Sequence, residues 1–318
     1  MTVIGIEDKS LTQVCIIVKD IERIAANYEK IMGFDVPDEL QITLLNDHTQ
    51  ATYYGKPCDA RSKIYGYNIG KIQFELLEPI EDNSTWKDFL DQYGDGVHHV
   101  AYFVPKTNVA AASFVEHGYT ITQQGLFTGR TGMYTYLDTE RDLKMVIELL
   151  EHFGGSPVLN APPFAEDKGI GTDIVCQVGL IVADIEKTAQ QYVDILGLPA
   201  PRIFRTAGYD ITETTYNGEP SEATARLAFF DAGQMQIELI EPDEKPSVWR
   251  EFLEAKGEGI QHIAFRVNDT KKATDHFAQF GIEISQQGLY SDRSGMYTYM
   301  RSEDDLGVVI ELLENFNR

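Results

Sequence analysis

The chain has 318 residues, is 43% hydrophobic and 11% aromatic, and sets 50 acidic against 27 basic side chains for a formal net charge of −23. That length and apolar content suit two globular domains with cores of their own and argue against disorder. The charge repels nucleic acid and anionic membrane surfaces, no apolar run reaches bilayer length, and the start Met1–Asp8 lacks a signal-peptide pattern.

Leu11–Lys19 reads as a strand ending at Asp20, a good helix N-cap. Ile21, Ile24, Ala25, Tyr28 and Ile31 follow at helical spacing and stop at Gly33. Strand-like runs come next at Gln41–Leu45, Ala51–Tyr54, Lys63–Tyr67 and Lys71–Leu77. A short amphipathic helix carrying Trp86, Phe89 and Leu90 leads into His98–Val104. A second helix starts near Thr107, carries Val109, Ala112 and Phe114, and stops at Gly118; Ile121–Leu126, Met133–Leu137 and Lys144–Leu150 supply further strands. Three cysteines, Cys15, Cys58 and Cys176, form no disulfide or zinc-finger pattern and fit a reducing cytoplasm.

The same text is then written again. Glu75-Leu76-Leu77-Glu78-Pro79 answers Glu238-Leu239-Ile240-Glu241-Pro242, and Gly132-Met133-Tyr134-Thr135-Tyr136 answers Gly295-Met296-Tyr297-Thr298-Tyr299. Val146-Ile147-Glu148-Leu149-Leu150 answers Val309-Ile310-Glu311-Leu312-Leu313. Two modules are therefore expected, at 9–152 and 173–318, joined by a glycine- and proline-rich linker at 153–172. Within each module the order strand, helix, three strands occurs twice.

Alternation along strands places Gln73 and Glu75 on one face, and sets Glu148 alone in an apolar run. A carboxylate buried there needs a partner, because an unpaired buried charge costs several kcal/mol. No lysine or arginine repeats beside Glu75, Glu148, Glu238 or Glu311, but a histidine does: His99 returns as His262. His98 becomes Gln261 and by strict alternation points to the opposite face. Two acids and a histidine on strands suggest a metal ion, and Gln13, repeated as Gln177, is a candidate fourth ligand.

With these residues the chain resembles the vicinal oxygen chelate superfamily, which includes glyoxalase I, methylmalonyl-CoA epimerase, extradiol dioxygenases and bleomycin-resistance proteins. The resemblance implies an α+β fold of tandem duplicated glyoxalase-like modules, each of paired βαβββ units forming a curved mixed-sheet cup. It implies the ligand sets Gln13, Glu75, His99, Glu148 and Gln177, Glu238, His262, Glu311, holding up to two divalent ions (Zn, Ni, Co or Mn) per chain. The quartet is similar to that of zinc-type glyoxalase I, whereas the Glu75–Pro79 and Gly96–Ala101 segments read more like the epimerase. The activity so implied is α-proton transfer through a metal-bound enolate or enediolate on a small carbonyl or thioester substrate. Glu148 and Glu311 would be the catalytic bases. Arg130, Arg293, Lys63 and Arg226 recur at matching positions and are candidate substrate contacts. A metal-free binding protein of the bleomycin-resistance type is the alternative, with an extradiol dioxygenase behind it. The expected setting is a cytoplasmic monomer or homodimer without nucleic-acid or membrane partners.

Overall fold

The computed structural model describes residues 6–155, 157, 159, 161 and 163–316. The first half folds as ten strands: β1 (Gln13–Ile17), β2 (Gln41–Ile42), β3 (Thr52–Tyr53), β4 (Lys56–Pro57), β5 (Ser62–Ile69), β6 (Ile72–Pro79), β7 (Gly96–Phe103), β8 (Ile121–Leu126), β9 (Gly132–Leu137) and β10 (Val146–His152). They form one curled mixed sheet in the order β2-β5-β6-β1-β7-β10-β9-β8-β3-β4. The second half supplies β11 (Val175–Ile181), β12 (Phe204–Arg205), β13 (Thr215–Tyr216), β14 (Glu219–Pro220), β15 (Ala225–Ala232), β16 (Met235–Pro242), β17 (Gly259–Val267), β18 (Ile284–Leu289), β19 (Gly295–Met300) and β20 (Val309–Asn315). Their order repeats the first sheet position for position.

Local chemistry fixes the helices. The Asp20 side chain accepts from the Arg23 backbone N–H and starts helix Ile21–Asn27, and Asp184 does the same for Ile185–Leu196. The first of these continues as a π-helical turn, Tyr28–Met32, which Gly33 ends at φ +79°. Ser84 and Ser247 cap the tryptophan-bearing helices Thr85–Tyr93 and Val248–Lys256.

One expected strand is differently placed. Ala51–Tyr54 does not join the neighbouring strands of its own half; β3 and β4 form a hairpin that pairs with β8 at the far edge. Its turn residues, Tyr54 and Gly55, both have positive φ (45° and 73°), as do Asn217 and Gly218 in the second hairpin (51° and 82°). Two consecutive left-handed residues make the tight turn whose twist matches paired strands.

The convex faces of the two sheets bury one another. Val14, Ile16, Phe74, Val100 and Ile147 share a single core with Val178, Leu180, Ile237, Ile263 and Ile310. Tyr28 Oη donates to the Leu306 carbonyl across this junction (3.0 Å), and Tyr192 Oη donates to Leu143 (2.7 Å). Smaller apolar clusters around Trp86 and Trp249 line the two concave faces separately. Among the described residues no helix is long and apolar enough to cross a membrane.

Candidate metal centre

Four adjacent strands of the first sheet run β6-β1-β7-β10, and their register sets the site. Cys15 pairs with Glu75 on one side and His99 on the other, and β10 places Glu148 against Ala101 on the far side of β7. Alternation from these pairs puts Gln13, Cys15, Glu75, His99 and Glu148 on the concave face. In the second sheet Gly179 takes the place of Cys15 between Glu238 and His262, and Glu311 lies against Ala264. Each quartet is therefore assembled inside one module.

The geometry at the floor is close but unsatisfied. His99 Nε2 lies 3.1 Å from Glu148 Oε2, and His262 Nε2 lies 3.2 Å from Glu311 Oε2 and 3.6 Å from Glu238 Oε2. Yet both Nε2 atoms and both of the Glu148 and Glu311 Oε2 atoms are buried without a hydrogen bond, as is Gln13 Oε1. Buried polar groups are normally paired, so lone pairs converging unpaired are what a divalent cation would satisfy. The residues fit such an ion. Glu75 is less bare, since Gln13 Nε2 donates to it at 2.9 Å.

Behind each imidazole the preceding residue touches Nδ1. Here strict alternation fails: the β1–β7 register slips opposite Cys15 and Ile16, leaving His98 as a bulge residue. His98 does not point away from His99 but touches it, Nδ1 to Nδ1 at 2.9 Å. Gln261 is the matching bulge residue; its Oε1 lies 3.2 Å from His262 Nδ1 while its Nε2 donates to the Val248 carbonyl. An amide oxygen only accepts, so His262 Nδ1 carries the proton and Nε2 keeps its lone pair for a metal. Tyr136 and Tyr299 stand edge-on to the two histidines at 4.9 and 5.0 Å.

Burial and the Glu148 charge push the Glu75 carboxyl up to about 7 against the pull of His99, and burial does the same to Glu238, aided by Glu311. Burial opposes the charged form of His262, but Glu311 and Glu238 outweigh it and lift the imidazole to about 9. Without an ion the protonated imidazole is favoured, and a cation would compete with that proton for Nε2. Burial pushes His98 well below the usual imidazole range, with the His99 charge adding to it.

Above the floors lie unequal cavities of about 310 Å³ in the first cup and about 580 Å³ in the second. Pro157 and Leu159 line the first. The four expected substrate contacts are not brought into these cavities. Lys63 is tied to Glu22 and Glu78, and Arg226 to Glu186 and Glu241, because both point to the face of their strand opposite Ile64 and Leu227. Arg130 Nε donates to the His48 carbonyl and Arg293 pairs with Glu213, both on positive-φ turns outside the lining. Among the described residues the lysines and arginines that do line a cup are Arg202 and Arg266, both in the second. Sequence comparison passed over them, since neither is repeated.

A family model described as glyoxalase/bleomycin resistance protein/dioxygenase superfamily matches residues 12–137 and again 176–300. The chain belongs to this superfamily. Its sequence is 29% identical over 141 residues to the uncharacterized protein YqjC of Bacillus subtilis, covering 43% of this chain and 89% of that one. A mutant of 4-hydroxymandelate synthase from Streptomyces coelicolor has a similar structure, with a TM-score of 0.60 and 17% identity over 96% of this chain and 92% of that chain. Methylmalonyl-CoA epimerase from Mycobacterium tuberculosis aligns at 26% identity over 46% of this chain and 89% of its own, with a TM-score of 0.33. The doubled, cupped sheet is thus a shared architecture.

Proposed function

We propose that the chain is a metal-dependent enzyme that moves a proton at the carbon next to a carbonyl, in the manner of a glyoxalase or an acyl-thioester epimerase, with one centre in each module. The observation that carries this reading is the pair of buried, unpartnered atoms, His Nε2 and Glu Oε2, at the floor of each cup. A divalent ion held by Gln13, Glu75, His99 and Glu148, or by Gln177, Glu238, His262 and Glu311, would supply Lewis acidity to the substrate carbonyl.

The protein's own residues do the rest. Glu148 and Glu311 lie in apolar strands, and each keeps one carboxylate oxygen without a hydrogen bond, ready to take the α-proton and return it. Gln261 and His98 hold the imidazoles from behind, so that Nε2 faces the cavity floor. Tyr136 and Tyr299, with Trp86 and Trp249 beside them, form an apolar wall that keeps water from the abstracted position. Trp249 Nε1 donates to Tyr299 Oη and fixes that ring.

The test is solvent-deuterium exchange at the α-carbon of a chiral acyl thioester and of a thiohemiacetal, followed by NMR on protein loaded in turn with Zn, Ni, Co and Mn. Exchange that needs the ion and disappears in the double variant Glu148→Gln, Glu311→Gln is the expected result. Stoichiometric ion without exchange of either substrate would remove the proposal.

A further inference from the structure

The two cups are alike at the floor and unlike at the far end. Arg266 stands four residues beyond His262 on β17, on the same face, so its Cα is about 13 Å further along the strand at ~3.3 Å per residue. It is half-buried, lines the cavity of about 580 Å³, and donates through Nη1 to Asn315 Oδ1 at 3.1 Å. Among the described residues no carboxylate comes within ion-pair distance of it, in a chain that carries 50 acidic side chains. Arg202, stacked over Phe204 at 5.8 Å, adds a second guanidinium to the same lining, also without an ion pair among the described residues. Asn315 spends its amide oxygen on Arg266, which leaves its NH₂ as a further donor.

In the first cup the matching positions are Phe103 and His152, whose rings pack at 5.3 Å, with Phe127 against His152 at 5.1 Å. That end is aromatic and, among the described residues, carries no guanidinium. A guanidinium that lines a cavity and makes no ion pair among the described residues is a fork suited to a planar anion.

We infer that Arg266, with Asn315 and Arg202, is a subsite for the distal carboxylate of the second cup's substrate, so that the two cups of one chain take different substrates: anionic at the far end in the second, uncharged in the first. The inference rests on the proposed function in placing the reactive carbonyl at the metal floor.

The experiment is calorimetric titration of the zinc-loaded full chain with 2-oxoadipate and 2-oxohexanoate. These share a keto-acid head and chain length and differ only in the distal carboxylate. The expected result is one site per chain that prefers 2-oxoadipate by about tenfold or more. That preference falls to none in Arg266→Gln and is partly kept in Arg266→Lys, with 2-oxohexanoate affinity unchanged. Equal binding of both ligands to the wild-type chain, or a preference that survives Arg266→Gln, overturns the subsite. Repeating the titrations after chelation separates the two ideas. A preference that persists without zinc but still needs Arg266 upholds the subsite while removing the metal floor; zinc-dependent binding with no preference does the reverse.

Discussion

Gly179 lies directly beneath the imidazole of His262, so close that a Cβ placed there would stand 1.9 Å from Cε1 and 2.2 Å from Nε2. The first cup has Cys15 at this register position, and there His99 reaches Glu148 but makes no comparable contact with Glu75. One missing side chain thus decides whether the histidine sits between both glutamates or beside one. Gly179→Ala should push His262 off Glu238 and weaken ion binding at the second centre by about tenfold or more, the scale seen when support of a ligand is lost. Metal titration should show two ions in the wild-type chain and a weakened second-cup ion in the variant. Two unaltered ions would remove this account.

The glutamates are separable. Glu148→Gln should abolish proton exchange in the first cup and Glu311→Gln in the second, each by roughly 10²–10⁴-fold, the usual worth of a positioned base. Assays with a substrate selective for one cup would read them independently. A single variant that silences both would refute independence.

Gln261 holds His262 in one tautomer through a bond to Nδ1 and is itself held by the Val248 carbonyl. Gln261→Leu removes the acceptor at similar volume. Zinc affinity at the second centre should fall about 10- to 100-fold, with the circular-dichroism spectrum unchanged, while Gln261→His should retain most of it because the first cup uses His98 there. Unchanged affinity in Gln261→Leu would show that the tautomer needs no such support.

The metal-free chain should lose stability as pH rises. Glu238 and Glu75 have folded-state values raised to about 7, so their protonated forms stabilise the fold below the ordinary carboxyl range, and that contribution is lost as pH rises toward 7. His262, raised to about 9, stabilises below the ordinary imidazole range and loses its contribution as pH climbs through 9. Both signs agree. His98, pushed the other way by burial, opposes them only below the ordinary imidazole range, so melting temperature measured after chelation should fall between about pH 6.5 and 9, and added zinc should flatten the slope by replacing the protons. A chelated chain whose melting point rises over that window would contradict it.

Much of this was written in the sequence. Carboxylates in otherwise apolar strands at Glu148 and Glu311, beside a repeated histidine, announce a polar site on a sheet, the resemblance to the superfamily implies the cup around it, and the duplication announces two. Two features escaped for definable reasons. A period-two pattern has no place for the extra residue of a bulge, so His98 was assigned to the wrong face. Comparing the copies rewards sameness, which favoured Lys63 and Arg226, whose repetition reflects ion pairs to the helix-bearing face. The same comparison discards Arg266, whose interest is that Phe103 stands in its place. Asn217-Gly218 is a local hairpin signal, but the pairing of its strand with β18 across the cup depends on contacts no local signal encodes.

The convex faces of the two sheets are spent on each other, through one core and the reciprocal bonds of Tyr28 and Tyr192. The mouths therefore open in opposite directions. A small molecule in one cup is separated from the other cup by both sheets and their shared core. The two cups stand back to back in one chain, so their ratio is fixed at one to one and no change in expression can alter it.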